Sequence, residues 1–346
     1  MSEAELLVVG GGPVGLAVAI EARLAGIDVL VVEPRRGVID KACGEGVMPG
    51  ARDALDRLGV VAASAPIAGI DYRDGRHSVQ HRFADGPGQG IRRTTLHAAL
   101  LARADELGVR WVEARVVGVG HGDAGVVVTT DAGHELRAGW LVAADGLHST
   151  VARSVGLALP EPRARRRYGQ RRHYRVAPWT DLVEVHWTRA GELYVTPLAD
   201  GVVGVALLAR RGVHFADALA ASGELAERLE GADAVSSLLG AGPFRQRTRA
   251  RTAGRILLAG DASGYVDALT AEGLRIGFEQ AQHAVAAIRA GDAPGYERAW
   301  ERTTHDFRVL TERLVRAAES PLRGWIVPTS ARFPGLYAGA VERIAR

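Results

Sequence analysis

A short apolar run, Leu6-Leu-Val-Val9, leads into Gly10-Gly-Gly12-Pro13-Val14-Gly15 and then an apolar-periodic helix reaching Leu24. Gly26 closes that helix, a second apolar run follows at Val29 to Val32, and Glu33 ends it. Few folds satisfy this order. A strand, a glycine-rich turn, a helix and a second strand ending in a carboxylate form the arrangement that holds a dinucleotide pyrophosphate. Gly10 permits the tight turn, Gly12 lets backbone approach phosphate, and Gly15 lets helix and strand pack closely. Pro13 and Val14 open the helix, whose free N–H groups face the phosphates. Glu33 accepts hydrogen bonds from ribose hydroxyls and repels a 2′-phosphate.

A second buried strand far down the chain, Arg255-Ile-Leu-Leu-Ala259, delivers Gly260-Asp261 at its carboxyl end. An NAD enzyme of this kind needs no such carboxylate. FAD does, because its ribityl hydroxyls extend from the pyrophosphate towards the ring. Thr270-Ala-Glu272-Gly273-Leu274 then opens a helix running from Arg275 to Ile288. Its first-turn N–H groups and positive dipole end suit the flavin N1–C2=O edge, and Gly273 lets backbone reach the ring. The pattern therefore predicts tightly bound FAD.

The rest of the sequence narrows the setting. At 346 residues the chain is long enough for two domains. No apolar run is long enough to predict a transmembrane segment. Met1-Ser-Glu-Ala-Glu5 passes directly into a strand without a secretory signal, so the expected location is cytoplasmic. Cys43 is the single cysteine, which excludes an internal disulfide framework, and no metal site is expected. The net charge of +3 argues against nucleic acid as a partner. The one basic cluster, Arg163, Arg165, Arg166, Arg167, Arg171 and Arg172, reads first as a solvated strand edge or loop, with steering of an anionic cofactor such as NADPH as the alternative.

Periodicity predicts a helix over 51–58 and a hairpin around Asp74-Gly75, with a loop at Asp85 to Gly90. A helix from Thr94 to Leu107 and strands at 109–114, 116–119, 125–130 and 140–144 follow. Strand-like segments at 172–176, 182–187, 192–197 and 202–208 form a candidate substrate sheet. Helices are expected at 215–229 and 235–239, then from Thr270 to the C-terminus, broken at Gly291, Pro294, Pro321, Pro328 and Pro334. The domain reading assigns 1–65, 91–156 and 250–300 to FAD, 66–90 and 157–249 to substrate, and 301–346 to a C-terminal helical segment.

Gly10-x-Gly12-x-x-Gly15, Asp145-Gly146-Leu-His-Ser149, and Gly260-Asp261-Ala with Leu269-Thr-Ala-Glu-Gly273 together resemble a known superfamily. It contains class A flavin monooxygenases, geranylgeranyl reductases and flavin-dependent halogenases. The resemblance implies an α/β para-hydroxybenzoate hydroxylase-like fold: a Rossmann-like parallel sheet with helices, an inserted antiparallel substrate sheet and C-terminal helices. It also implies that Asp261 bonds the ribityl chain, Arg93 touches FAD, and Val116 borders the adenine through its backbone. Asp145 would lie near the pyrophosphate and the path of transient NAD(P)H. Two positions depart from the pattern: Ala152 stands where the family has Arg, with Arg153 next to it, and Ala268 where it has Pro.

Lys41-Ala-Cys43-Gly44-Glu45-Gly46 resembles the Lys-x-Cys-Gly segment that lies by the flavin in the geranylgeranyl-reductase branch. Three reactions compete. In a hydroxylase NAD(P)H reduces FAD, O2 adds to flavin C4a, and the hydroperoxide transfers OH to an electron-rich ring. In an alkene reductase hydride passes to a double bond and an acid supplies a proton. A halogenase is disfavoured, since no Trp-x-Trp-x-Ile-Pro motif is present and the only lysine, Lys41, is already placed near the cofactor. The Asp-Gly-x-x-Ser motif tilts the reading towards a monooxygenase acting on an apolar aromatic, polyketide or lipid-like small molecule. A flavin-dependent reductase of prenyl or enone bonds is the alternative, and a non-catalytic electron carrier the third. Cys43, Glu45, His173, Tyr174, His186 and Tyr194 are the candidate catalytic residues. Partners are the small apolar substrate and O2, with weak membrane-surface contact left open and either a monomer or a homodimer.

Overall fold

The computed structural model describes residues 3–122, 125–161 and 166–345. Its first layer is an eight-stranded sheet with a parallel core in the order Ile256–Leu258, Glu135–Ala143, Ala4–Val9, Val29–Val32, Arg110–Val112. The central stretches of these strands, Leu6–Val9, Val29–Val32, Leu141–Ala143 and Ile256–Leu258, are apolar because helices or a hairpin cover both faces. On one face Leu6, Val8, Val29 and Val31 pack against helices Pro13–Leu24, Arg93–Glu106 and Gly273–Ala290. On the other, Leu7, Val9, Leu30 and Val32 lie under the hairpin Val116–Gly122/Gly125–Thr130 and the short helix Thr150–Ser154. Parallel strands end together, so the Gly10 turn, Glu33, Ala144 and Gly260 meet at one edge.

A second eight-stranded sheet stands across that edge. Arg167–Arg175, Val202–Arg210, Gly191–Leu198 and Leu182–Trp187 run antiparallel in that order, and the hairpin Gly69–Arg73/Ser78–Arg82 extends them. The join between Leu182–Trp187 and Gly69–Arg73 is parallel, because the hairpin arrives from an earlier part of the chain. Alternation divides the sheet cleanly. Tyr174, Leu193, Val195, Val205 and Leu207 face helices Phe215–Ala220 and Gly223–Arg228. Arg171, His173, Tyr194, Thr196 and Ala206 point to the opposite side, towards the first sheet and the C-terminal helices.

Several local expectations are corrected. Asp85 to Gly90 is not all loop: Gly88–Gly90 is the central strand of a three-stranded sheet with Gly46–Val47 and Ala65–Ile67. A Cβ on Gly90 would lie 1.8 Å from the Pro197 carbonyl oxygen, so this glycine serves close strand packing rather than a turn. The helix expected over 215–229 is two helices with Ser222 between them. The helix expected over 235–239 is absent, since 233–234 and 239–241 pair as edge strands with Arg167–Arg175. The basic cluster is not one solvated edge: Arg167 and Arg171 are buried, while Arg163 and Arg165 lie outside the described residues. Prolines start helices here rather than break them. Pro294 sits in the first turn of Ala293–Glu319, Pro321 and Pro334 begin Pro321–Trp325 and Pro334–Ala345, and Pro328 occupies the first turn of Ile326–Arg332. First-turn N–H groups have no helical partner, so a missing donor costs nothing there.

The C-terminal helices close the molecule by long-range bonds. Tyr296 Oη donates to the Leu258 carbonyl at 2.6 Å, and Trp300 Nε1 donates to Ser263 Oγ at 2.8 Å. Tyr337 packs on Tyr72 with ring centroids 5.0 Å apart and donates to the Ile70 carbonyl at 2.9 Å. No helix among the described residues is long and apolar enough to cross a membrane. Tyr337→Phe is expected to lower unfolding free energy by about 1 kcal/mol in urea titration, the net worth of one buried hydrogen bond. It should leave the flavin spectrum unchanged, because the ring still fills its site.

Candidate active site

The cleft between the two sheets begins at the glycine-rich turn. Gly10 has φ of +106°, and a Cβ on Gly15 would lie 1.9 Å from the Gly10 carbonyl oxygen. Gly12 has open space where its side chain would be, and it precedes helix Pro13–Leu24 with no side-chain cap. The helix start is therefore left clear for an anion. Glu33 braces the turn: its Oε2 accepts from Gly11 N at 2.9 Å, and its Oε1 accepts from Arg35 Nε at 2.7 Å.

His97, which the sequence reading missed, holds the same turn from below. Its Nδ1 accepts from Ile39 N at 3.3 Å, which leaves Nε2 to donate to the Gly11 carbonyl at 2.7 Å. Burial holds its pKa below the ordinary histidine value despite the Gly11 carbonyl, so the ring is neutral. A signal existed, since His97 lies one turn after Arg93 on the same helix.

Arg93 opens helix Arg93–Glu106 and lines the cleft with Lys41, Asp145, Asp261, Gly273 and Leu274. Its backbone N donates to Glu45 Oε1 at 2.8 Å, while its guanidinium Nε is buried without a hydrogen-bond partner. Lys41 Nζ lies 4.0 Å from Asp261 Oδ2. Asp145 has a local duty as well: its Oδ2 accepts from Thr150 N at 2.7 Å and Val151 N at 3.2 Å, capping helix Thr150–Ser154. Glu272 precedes helix Gly273–Ala290 and accepts from Arg275 Nη2 at 2.6 Å rather than capping the helix, and burial outweighs that arginine and pushes its carboxyl up to about 7. FAD needs cationic and backbone donors for two phosphates, an acceptor for ribityl hydroxyls, and a helix start for the ring. Arg93 with the open side of Gly12, Asp261, and Gly273 fit those needs in that order.

The opposite wall is set by Glu45. This residue adopts φ of +61°, a left-handed conformation uncommon outside glycine, and its carboxylate is buried. Glu45 Oε2 lies 2.6 Å from His173 Nε2, and Glu45 Oε1 is 3.9 Å from Arg171 Nε. His173 Nδ1 is 3.1 Å from Arg171 Nη1 and 3.0 Å from Ser236 Oγ, and Arg171 also pairs with Asp40. Thr196 Oγ1 donates to the Gly44 carbonyl at 2.8 Å, so the Cys43–Gly46 segment is fastened to the second sheet. Cys43 borders the cleft, and burial pushes its thiol pKa up, which keeps the proton on sulfur. Beyond it the wall is apolar, formed by Leu147, Ala206, Leu208, Ala241, Phe244 and Ala268.

The structure thus gathers Gly10, Gly12, Pro13, Val14, Glu33, Lys41, Arg93, Asp145, Asp261, Gly273, Leu274, Cys43 and Glu45 around one cleft. His173 stands directly behind Glu45. The side chains of three other sequence candidates lie elsewhere. Tyr174 packs in the apolar layer beneath helices Phe215–Ala220 and Gly223–Arg228. His186 is on that same outer side, bonded to Glu184 Oε2 at 3.0 Å and Ser222 Oγ at 3.4 Å. Val116 has its side chain buried in the apolar core under the first sheet, which leaves only its backbone for the expected adenine contact. Tyr194 faces inward but is occupied, donating to the Leu269 carbonyl at 3.1 Å, and burial holds its pKa well above the usual phenol.

Asp261→Ala is expected to purify colourless, checked by the flavin absorbance band; an unchanged band would contradict the ribityl contact. Glu272 gives a pH test. Its folded pKa is raised above its unfolded value of 4.5, so its contribution is full below that pH and is lost as pH rises through about 7. Stability of the apoprotein should therefore fall by about 2 kcal/mol from pH 5 to pH 8 through this group, and Glu272→Gln should flatten that slope in urea titrations.

Comparison with known proteins agrees with this geometry. The menaquinone reductase of Mycolicibacterium smegmatis is 28% identical over 340 residues, covering 86% of this chain and 80% of that protein. A para-nitrophenol 4-monooxygenase of a Pseudomonas species is 33% identical, covering 44% of this chain and 42% of that protein. Among solved structures, the flavin-dependent halogenase CmlS superposes with a TM-score of 0.80 at 19% identity, covering all of this chain and 72% of that one, a likeness of fold. Residues 3–220 match the FAD binding domain family, and the chain belongs to that family.

Proposed function

We propose that this chain is a FAD-dependent reductase of a carbon–carbon double bond in an apolar prenyl- or enone-like small molecule, with NAD(P)H as the transient reductant. The carrying observation is the place of Cys43: this thiol lines the same cleft as the FAD-binding turn and as Leu147, Ala206, Leu208 and Phe244, and burial keeps its proton on sulfur. FAD, when bound, supplies the hydride. The residues of this chain supply the rest. Leu147, Ala206, Leu208 and Phe244 hold the substrate and exclude water. Cys43 Sγ carries the proton that the second alkene carbon takes up. Glu45, fixed by His173 and Arg171, sets the loop that presents the thiol.

Hydroxylation is the second reading and the one towards which the sequence alone tilts. Similarity to the nitrophenol monooxygenase, and to a rifampicin monooxygenase of Streptomyces venezuelae at 26% identity over 80% of this chain, supports it. The apolar wall suits either reaction, and the place of Cys43, a protonated thiol at the cleft, weighs towards reduction. Similarity to the menaquinone reductase, at 28% identity over 86% of this chain, supports reduction in the same way.

The test is anaerobic stopped-flow reoxidation of the reduced flavin by prenyl lipids and enones that carry no quinone ring, with the saturated product identified by mass spectrometry. Reduction predicts reoxidation without O2 for at least one class. Cys43→Ala should slow that step about 100-fold, the lower range for loss of a general acid, with flavin reduction by NAD(P)H unchanged. Unaltered reoxidation in Cys43→Ala would remove the thiol from the mechanism.

A further inference from the structure

The last helices leave in water apolar side chains that the proposed reaction does not use. Leu322, Trp325, Phe333 and Leu336 are 65%, 67%, 53% and 75% exposed. Leu322 and Trp325 belong to helix Pro321–Trp325, Leu336 to helix Pro334–Ala345, and Phe333 joins the latter to helix Ile326–Arg332. The inner sides of these helices are spent: Val327, Tyr337, Val341 and Ile344 pack with Tyr72, Val185, Trp187, Leu208 and Phe244. Among the described residues, the exposed apolar side chains outside the C-terminal helices (Leu24, Val38, Val61, Val117 and Leu238) are scattered along the chain and include no aromatic ring. A run that concentrates two aromatics and two leucines on an outer surface marks an interaction face.

Charge selects the partner. Residues 320–341 contain no Asp or Glu. The nearest carboxylates are engaged within the fold: Glu312 with Arg245 and Arg316, Glu319 with Arg210, and Glu342 with His81. Arg313, Arg332 and Arg343 are exposed. Exposed Trp, Phe and Leu side chains, with Arg332 stacked on Phe333 and exposed Arg313 and Arg343 on the neighbouring helices, match the interface of an anionic bilayer, where aromatic rings sit at headgroup level and arginines meet the negative surface potential. A second copy of the chain fits poorly, since it would set like charges against one another.

We propose that the outer face of the C-terminal helices docks on an anionic lipid surface. Leu208 and Phe244 on the cleft wall belong to the apolar cluster that these helices cover, so docking would set the apolar end of the cleft beside a reservoir of apolar molecules. The inference holds for either reaction.

Flotation of the FAD-loaded protein with phosphatidylcholine vesicles, with and without phosphatidylglycerol, tests it. The protein should float with the phosphatidylglycerol vesicles. Trp325→Ser with Leu336→Ser should weaken that partition at least about tenfold through lost apolar burial. Arg313→Gln, Arg332→Gln and Arg343→Gln together should weaken it roughly 100-fold, at about fivefold per arginine near an anionic surface. An unchanged flavin spectrum verifies that each variant is folded. Three results would overturn the proposal: wild-type protein left unbound on both vesicle types, variants that bind like wild type, or a dimer, seen by light scattering, that Trp325→Ser dissociates.

Discussion

The active cleft depends on one buried carboxylate. Glu45 joins three parts of the chain that lie far apart in sequence: the loop carrying Cys43, the start of helix Arg93–Glu106, and the second sheet at His173 and Arg171. A buried ion pair is weak ground for stability as such, because desolvation offsets most of its attraction. Removing one partner is another matter and typically costs about 3–5 kcal/mol. Such a contact fixes geometry more than it holds the molecule together. Here it ties the cleft to the second sheet.

Two other buried polar groups support that frame from opposite ends. His97 pins the Gly11 carbonyl from beneath the nucleotide turn, so the loop that meets phosphate has little freedom. At the far end of the sheet, Arg167 pairs with both Glu192 and Asp267, and Arg323 from the C-terminal helices bonds the same Glu192 at 2.5 Å. The cleft is thereby preorganised along its length, with a polar brace at each end and an apolar wall between. Such a wall is suited to an apolar ligand that must be held dry while hydride and proton are delivered.

Much of this was legible in the sequence for a physical reason. Gly10, Gly12, Gly15 and Glu33 act through backbone geometry set by adjacent residues, and local order records it. Gly260-Asp261 was readable because a parallel strand ends where its neighbours end. The substrate sheet was harder. Alternation puts His173 and Tyr174 on opposite faces but does not say which face is inward, because both sides of the sheet are covered. His186 thus looked as promising as His173, although Glu184 and Ser222 hold it on the outer side. Arg171 was read as a solvated charge, since its partners Asp40 and Glu45 come from a loop more than a hundred residues earlier. Pro294 and Pro328 were read as breaks because sequence does not reveal that both fall within a first turn.

The central claim is that this cleft adds hydrogen rather than oxygen. Its most direct measurement is product mass after a single turnover of the chemically reduced protein, run in parallel under argon and under 18O2 with the same apolar alkenes and aromatics. Reduction predicts a product two hydrogens heavier under argon, with no 18O in either atmosphere. A product that forms only with oxygen and carries one 18O atom would contradict it.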